Sequence, residues 1–373
     1  MAPYIGKTRL GVTNNGDDTL SFVSTDSLDA PSVLGVMRVG NSPIEPEGPH
    51  HLVASPDGES IFFNLSNYVV AGVGGPHGAH GAGTVPGFLV KLDARTGRKV
   101  AEVLVDRNPG DVILSADGKL AYVSHYDVAR LQRQLLAAAP AEQGYSSLYI
   151  VDTGSMRILS QTPLCPTTHG EGLSADGRTL YVTCSLSDQL AVVDVSDPAK
   201  PTLRAKVDIG PTPGKPGNPS HAPYALKVHP SDGSVWISNN QSNDVRVFDP
   251  QRMQMDPAKV IPVGGVAMFS DFSADGRTLY VPHQGDERVT AIDTQTLAVR
   301  HLALPKDRCI AAHELRRLPS GDGAVVVCEG DHRGPGALVF LDLAGWSVRG
   351  SVQVGVFPDA AIVLPPLAPH AHH

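Results

Sequence analysis

A chain of 373 residues with 30 Lys and Arg against 38 Asp and Glu carries a formal net charge of −8, and its basic residues form no run. That leaves no field for a polyphosphate, so nucleic acid is excluded as a partner. With 38 Gly, 31 Pro and no run of about eighteen apolar residues, the composition suits short strands joined by turns and excludes a membrane-spanning helix.

Near the N-terminus, RLGVTNNGDD reads as the back half of a hairpin without its front half, and LSFVSTDS follows as a short strand closing on Asp26. From there one signal recurs: an apolar strand end, a tight turn with Asp-Gly, then an alternating β-rich run. SPDGESIFF turns at Asp57-Gly58, SADGKLAYV at Asp117-Gly118, SADGRTLYV at Asp176-Gly177, HPSDGSVWI at Asp232-Gly233, SADGRTLYV at Asp275-Gly276 and PSGDGAVVV at Asp322-Gly323. After each comes a short strand ending on Asp: Asp93, Asp152, Asp194, Asp249, Asp293 and Asp342. At the far end VFPDAAIVLPP reads as an opening strand with nothing after it, the front half that the N-terminus lacks.

Six complete units plus one split between the termini make seven. The expected fold is all-β, a seven-bladed β-propeller of four-stranded antiparallel blades, in which terminal strands close the last blade. All of 1–373 is read as one domain, the ring closed by 8–46 with 356–366, and 367–373 as a tail. Blades one and two carry extra segments at 69–87 and 126–146, the latter with Leu131, Leu135 and Leu136 at helical spacing. A third elaboration, 210–222, precedes the innermost strand of blade four. Strand direction alternates within a blade, so all three are expected on one face, where loops on a rigid scaffold carry function.

The four cysteines fall in two pairs 19 apart, Cys165 with Cys184 and Cys309 with Cys328, each nearly opposite across its hairpin. That is the geometry of a disulfide, and the other reading is four reduced, buried side chains. MAPYIGKTRL lacks an apolar signal core, so the chain is either cytoplasmic or a mature form. Disulfides favour a periplasmic or secreted location, with the cytoplasm still compatible.

Histidines concentrate on the elaborated face. The position eight residues after the turn Asp is His125 in blade two and His283 in blade five. His50, His51, His169, His221 and His313 sit on loops entering innermost strands, His332 on a later loop of blade six, and His77 and His80 in the first insertion. His51, His125, His169, His221, His283, His313 and His332 are the candidate metal ligands, with copper or zinc the ions imidazole suits best. Asp111, Glu171, Asp271, Glu314 and Glu329 lie near the same rim, able to orient them. A lone histidine at a strand end is more often a hydrogen-bonded structural residue. The sequence carries no CxxCH, HExxH or GxSxG motif.

In SADGRTLYVTC, SADGRTLYVPH, SADGKLAYVSH and GVTNNGDDTLSFVSTDS the chain resembles the YVTN-type β-propeller repeat family of bacterial periplasmic and surface-layer proteins. The resemblance implies the seven-bladed fold over essentially the whole chain and specifies function poorly. GPHHLVASPDG is similar to blade openings of seven-bladed lactonases, without a matching catalytic set. The one-faced histidines are similar in layout to the copper-binding propeller of nitrous oxide reductase, without its motifs. The first reading is therefore a binding module receiving a small ligand, metal ion or protein partner. The alternatives are a copper enzyme and a lactonase-like hydrolase.

Overall fold

The structure, a computed structural model, describes residues 8–42, 46–66, 82–319 and 321–366. Their strands form seven four-stranded antiparallel sheets. Blades one to six each run outward in chain order, and their innermost strands are Pro49–Ala54, Pro109–Leu114, Thr168–Leu173, Pro223–Val228, Asp271–Phe272 and Ala312–Arg317. The seventh is closed as expected: Pro358–Leu364 is innermost and pairs with Arg9–Asn14, which pairs with Thr19–Ser24 and then Val33–Arg38.

The repeated turn explains why these hairpins form. In SPDG, Gly58 takes φ +72° and donates to the Ser55 carbonyl, while Asp57 accepts from the Ser55 hydroxyl and the Glu59 N–H. Only glycine adopts that backbone without strain. Gly118, Gly177, Gly233 and Gly276 repeat the conformation. Blade six differs: its left-handed turn residue is Gly321, at φ +83°, and Gly323 already opens the second strand. The Asp322-Gly323 pair is therefore not the turn there. In blades one to six the Asp ending the third strand caps the next turn, as Asp93 does by accepting from the N–H groups of Arg95 and Thr96, whereas in blade seven that strand ends on Ser24, whose hydroxyl accepts from the Asp26 N–H.

Adjacent blades bury apolar faces against each other rather than around one centre. Leu20 and Phe22 of blade seven pack with Leu52 and Phe63 of blade one and with Ile362 and Leu364 of the closing strand. Outermost strands alternate instead, as in Val33–Arg38, whose residues are exposed or half-buried.

The second insertion forms the helix Val128–Leu136, which buries Leu131 and is capped by Asp127 accepting from the Arg130 N–H. The elaboration before blade four is gathered by Asp188, whose carboxylate accepts from the N–H groups of Gly214, Ser220, His221 and Ala222. Most of the first insertion, with His77 and His80, and the tail 367–373 lie outside the described residues. No helix among those described is long and apolar enough to cross a membrane.

Both cysteine pairs are disulfides, Cys165–Cys184 and Cys309–Cys328, with Cα atoms 5.8 and 5.1 Å apart. Each ties the approach to an innermost strand to the end of the second strand. Closing a loop of 19 residues restricts the unfolded chain by about 3 kcal/mol on the chain-entropy estimate. Replacing either pair by serine is accordingly expected to lower unfolding free energy by roughly that amount in urea titrations. A loss under about 1 kcal/mol would show that the bridges do not brace the fold.

Candidate metal centre

One turn, repeated around the ring, places the axial side chains. The residue before the innermost strand is left-handed in six blades: Gly48, Asn108, Thr167, Ala222, Ala311 and Phe357, with φ between +51° and +59°. Five of these are not glycine, and a left-handed backbone costs such a residue about 1 kcal/mol. In all seven blades the carbonyl at this position, Val266 in blade five, accepts from the residue that follows the second strand. A register shift follows immediately, as between Pro49↔Leu65 and Leu52↔Phe63, so three steps on one strand match two on the other. The bulge breaks the in-out alternation, and two consecutive residues face the axis.

The first of these positions reads, around the ring, His50, Gly110, His169, Tyr224, Met268, His313 and Asp359. The second includes His51, Asp111, Phe269 and Glu314. The bulge is why consecutive His50 and His51 stack, with centroids 4.7 Å apart and planes at 12°. His169 stacks on Tyr224 at 4.1 Å. Gly170 permits that approach, since a Cβ there would lie 2.8 Å from the Ala225 backbone.

Three imidazoles share one arrangement. His50 Nδ1–H donates to the Gly110 carbonyl at 2.6 Å, His51 Nδ1–H to Asp111 Oδ1 at 2.7 Å, and His313 Nδ1–H to the Asp359 carbonyl at 2.7 Å. Each bond fixes the tautomer and leaves Nε2 as the ring's basic nitrogen. His50 Nε2 and His51 Nε2 stand 3.5 and 3.6 Å from Asp359 Oδ2, and His313 Nε2 stands 3.7 Å from Glu329 Oε1. Asp359 is fully buried, and neither of its carboxylate oxygens has a hydrogen-bond partner. His50, His51 and Asp359 each offer a ligand atom within 4.8 Å of the others, as do His313, Glu329 and Asp359.

Burial sets the charges. It lowers His50 to about 3, helped by the adjacent His51. It would lower His51 too, but the carboxylates of Asp111, Asp359 and Glu314 outweigh it and push that ring up to about 9. Burial alone would raise the Asp111 carboxyl, yet His51 holds it below the usual carboxylate range. Asp359 is raised by burial to about 7, with Asp111 adding and His51 opposing. Burial holds Glu171 and Glu329 well above ordinary carboxylates, reinforced by Asp111 and Asp359 respectively. The axis therefore combines surplus acidic groups with imidazole nitrogen, a surrounding that favours a cation.

Of the seven candidate ligands, His51, His169 and His313 meet at the axis, with His51 ring centroids 5.6 and 6.1 Å from the other two. His332 joins behind them, its Nε2 2.8 Å from Glu329 Oε2 and its ring stacked on Phe357 at 3.6 Å. His125 and His283 do not join. The end of the second strand points along the sheet toward the third strand, so His125 donates to the Ser147 carbonyl and His283 meets the Thr290 hydroxyl. Cys184 occupies the same position and also turns outward, into its disulfide. His221 lies two residues before its strand, in the loop that Asp188 gathers. Of the orienting carboxylates, Asp111 and Glu329 contact imidazoles, whereas Asp271 pairs with Lys227 at 3.4 Å and Glu314 with Arg316.

Asp359 and the aromatic neighbours Tyr224 and Phe269 were not among the sequence candidates. The signal for them was the column of strand openings PHHL, PGDV, THGE, PYAL, AMFS, AHEL and PDAA, which becomes visible only once these are aligned at the bulge.

No family model matches the chain, and no curated relative does. Solved structures share its fold at low identity. The periplasmic gluconolactonase of Pseudomonas aeruginosa is 20% identical, with TM-score 0.67 over 96% of this chain and 99% of that one. Hydrazine synthase of Kuenenia stuttgartiensis is 18% identical, with TM-score 0.60 over 82% and 80%. Virginiamycin B lyase of Staphylococcus aureus is 12% identical, with TM-score 0.58 over 83% and 85%. Three different activities on one architecture leave function to be argued from the site.

Proposed function

We propose that this chain is an extracytoplasmic seven-bladed propeller that binds a first-row transition metal ion, copper(II) or zinc(II), at its axis through His50, His51 and Asp359. One observation carries the reading: paired imidazoles, tautomers fixed at Nδ1, stand beside a buried carboxylate whose oxygens accept no hydrogen bond. Two ligand atoms bound to one ion at about 2.1 Å lie at most about 4.2 Å apart. The Nε2 to Oδ2 separations of 3.5 and 3.6 Å fall inside that limit. Asp111 holds His51 as a metal site's outer carboxylate does, fixing its orientation and raising its basicity. Two imidazoles and a carboxylate suit copper or zinc better than magnesium or calcium. The two disulfides support a location outside the reducing cytoplasm.

The test is metal loading of protein in which the tail residues His370, His372 and His373 are alanine, so that the tail contributes no ligand. After incubation with copper(II) or zinc(II) and exhaustive dialysis, elemental analysis is expected to find at least about one ion per chain. Less than about 0.2 equivalents would overturn metal binding. The lactonase-like hydrolase would then be the better reading, with the axial histidines and carboxyls serving as acid and base.

A further inference from the structure

We infer that the axis is a two-ion centre in which Asp359 bridges the ion held by His50 and His51 to a second ion held by His313 and Glu329. The inference rests on the metal-binding reading above and adds a second site to it. The two ligand groups are separate except for Asp359, which belongs to both. Oδ2 stands 3.5 and 3.6 Å from the Nε2 atoms of His50 and His51, and Asp359 also offers an oxygen within 4.8 Å of ligand atoms of His313 and Glu329.

The second half is built as carefully as the first. His313 is anchored at Nδ1, and its Nε2 to Glu329 Oε1 separation of 3.7 Å also fits two ligands of one ion. Glu329 is fully buried and directly follows Cys328, so a disulfide fixes its backbone. Gln284 donates to its Oε1 at 2.8 Å and His332 meets its Oε2 at 2.8 Å, which hold the carboxylate in one orientation while lone pairs remain. A carboxylate that offers one oxygen to each of two ions sets them about 3.5–4 Å apart, the spacing of known two-metal sites. Two divalent ions would also offset the crowding of the buried Asp359, Glu329, Asp111 and Glu171 side chains.

Copper(II) chloride titrated into the tail-substituted protein and into its Glu329→Gln variant tests this, with bound metal counted and electron paramagnetic resonance recorded. The unaltered centre is expected to bind two ions, the first giving a full-intensity signal that broadens and weakens as the second enters within about 4 Å of it. Glu329→Gln is expected to bind one ion with an unperturbed signal. One ion in both proteins would overturn the second site and leave the first standing; none in either would overturn both. Two ions retaining full, independent signals would overturn the Asp359 bridge. The titration of the unaltered centre decides the matter even if the variant folds poorly.

Discussion

Asp359→Asn is expected to abolish metal binding and, at the same time, to stabilise the metal-free protein at pH 8. The side chain is fully buried without a hydrogen bond to either oxygen, and burial raises its pKa from an ordinary 3.8 to about 7. Between those two values the folded chain holds a proton that the unfolded chain releases, so stability falls as pH rises through the window and the cost is complete above about 7. A three-unit shift corresponds to about 4 kcal/mol, and the variant gives back part of it because His51 loses a neighbouring charge. The net gain expected at pH 8 is about 1–3 kcal/mol in urea titrations, fading to nothing near pH 4. Metal affinity in the variant is expected to drop at least about 100-fold, since one shared ligand is gone. A variant that is less stable at pH 8 and still binds metal within about tenfold would identify Asp359 as structural.

A group whose removal stabilises the fold while destroying binding marks a place where sequence patterns give way to functional ones. The pattern of turns was legible because Asp-Gly hairpins and strand-ending Asp residues repeat at measured intervals, and these dictate the blades. The closing strand was legible too, from the unmatched VFPDAAIVLPP and RLGVTNNGDD ends. The axis was legible only in part. His51, His169 and His313 could be placed on entering loops by counting. What placed them together was a bulge after a left-handed residue, and the residues at that turn, Asn108, Thr167, Ala222, Ala311 and Phe357, share no chemistry that announces it. His125 and His283, counted to second-strand ends on the same face and so kept among the candidate ligands, are turned by alternation toward the third strand. Asp359 escaped notice because its blade is divided between the chain ends, so it had no neighbouring copy to be compared with. PSGDG shows the opposite error: a familiar Asp-Gly pair stood two residues from the glycine that makes the turn.

Ring closure and the proposed metal site use the same strand, and removing it is expected to end both. Pro358–Leu364 pairs along Arg9–Asn14 and buries Ala360, Ile362 and Leu364 against blade one, while delivering Asp359 to the axis. Without it Arg9–Asn14 becomes an open edge beside uncovered apolar side chains, the arrangement that invites aggregation. A chain ending at Phe357 is therefore expected to lose its cooperative unfolding transition and to bind no metal. In the full-length chain the link runs the other way. In the proposed site an ion held by His50 and His51 of blade one and Asp359 of blade seven would tie the two sides of the closure together, and it would bind only the closed ring. Free metal at about 100 times its dissociation constant should then raise unfolding free energy by about 2.7 kcal/mol. Asp359→Asn should show no such rise. Equal rises in both proteins, or a truncated chain that still unfolds cooperatively, would separate the site from the closure and leave the ring held by strand pairing alone.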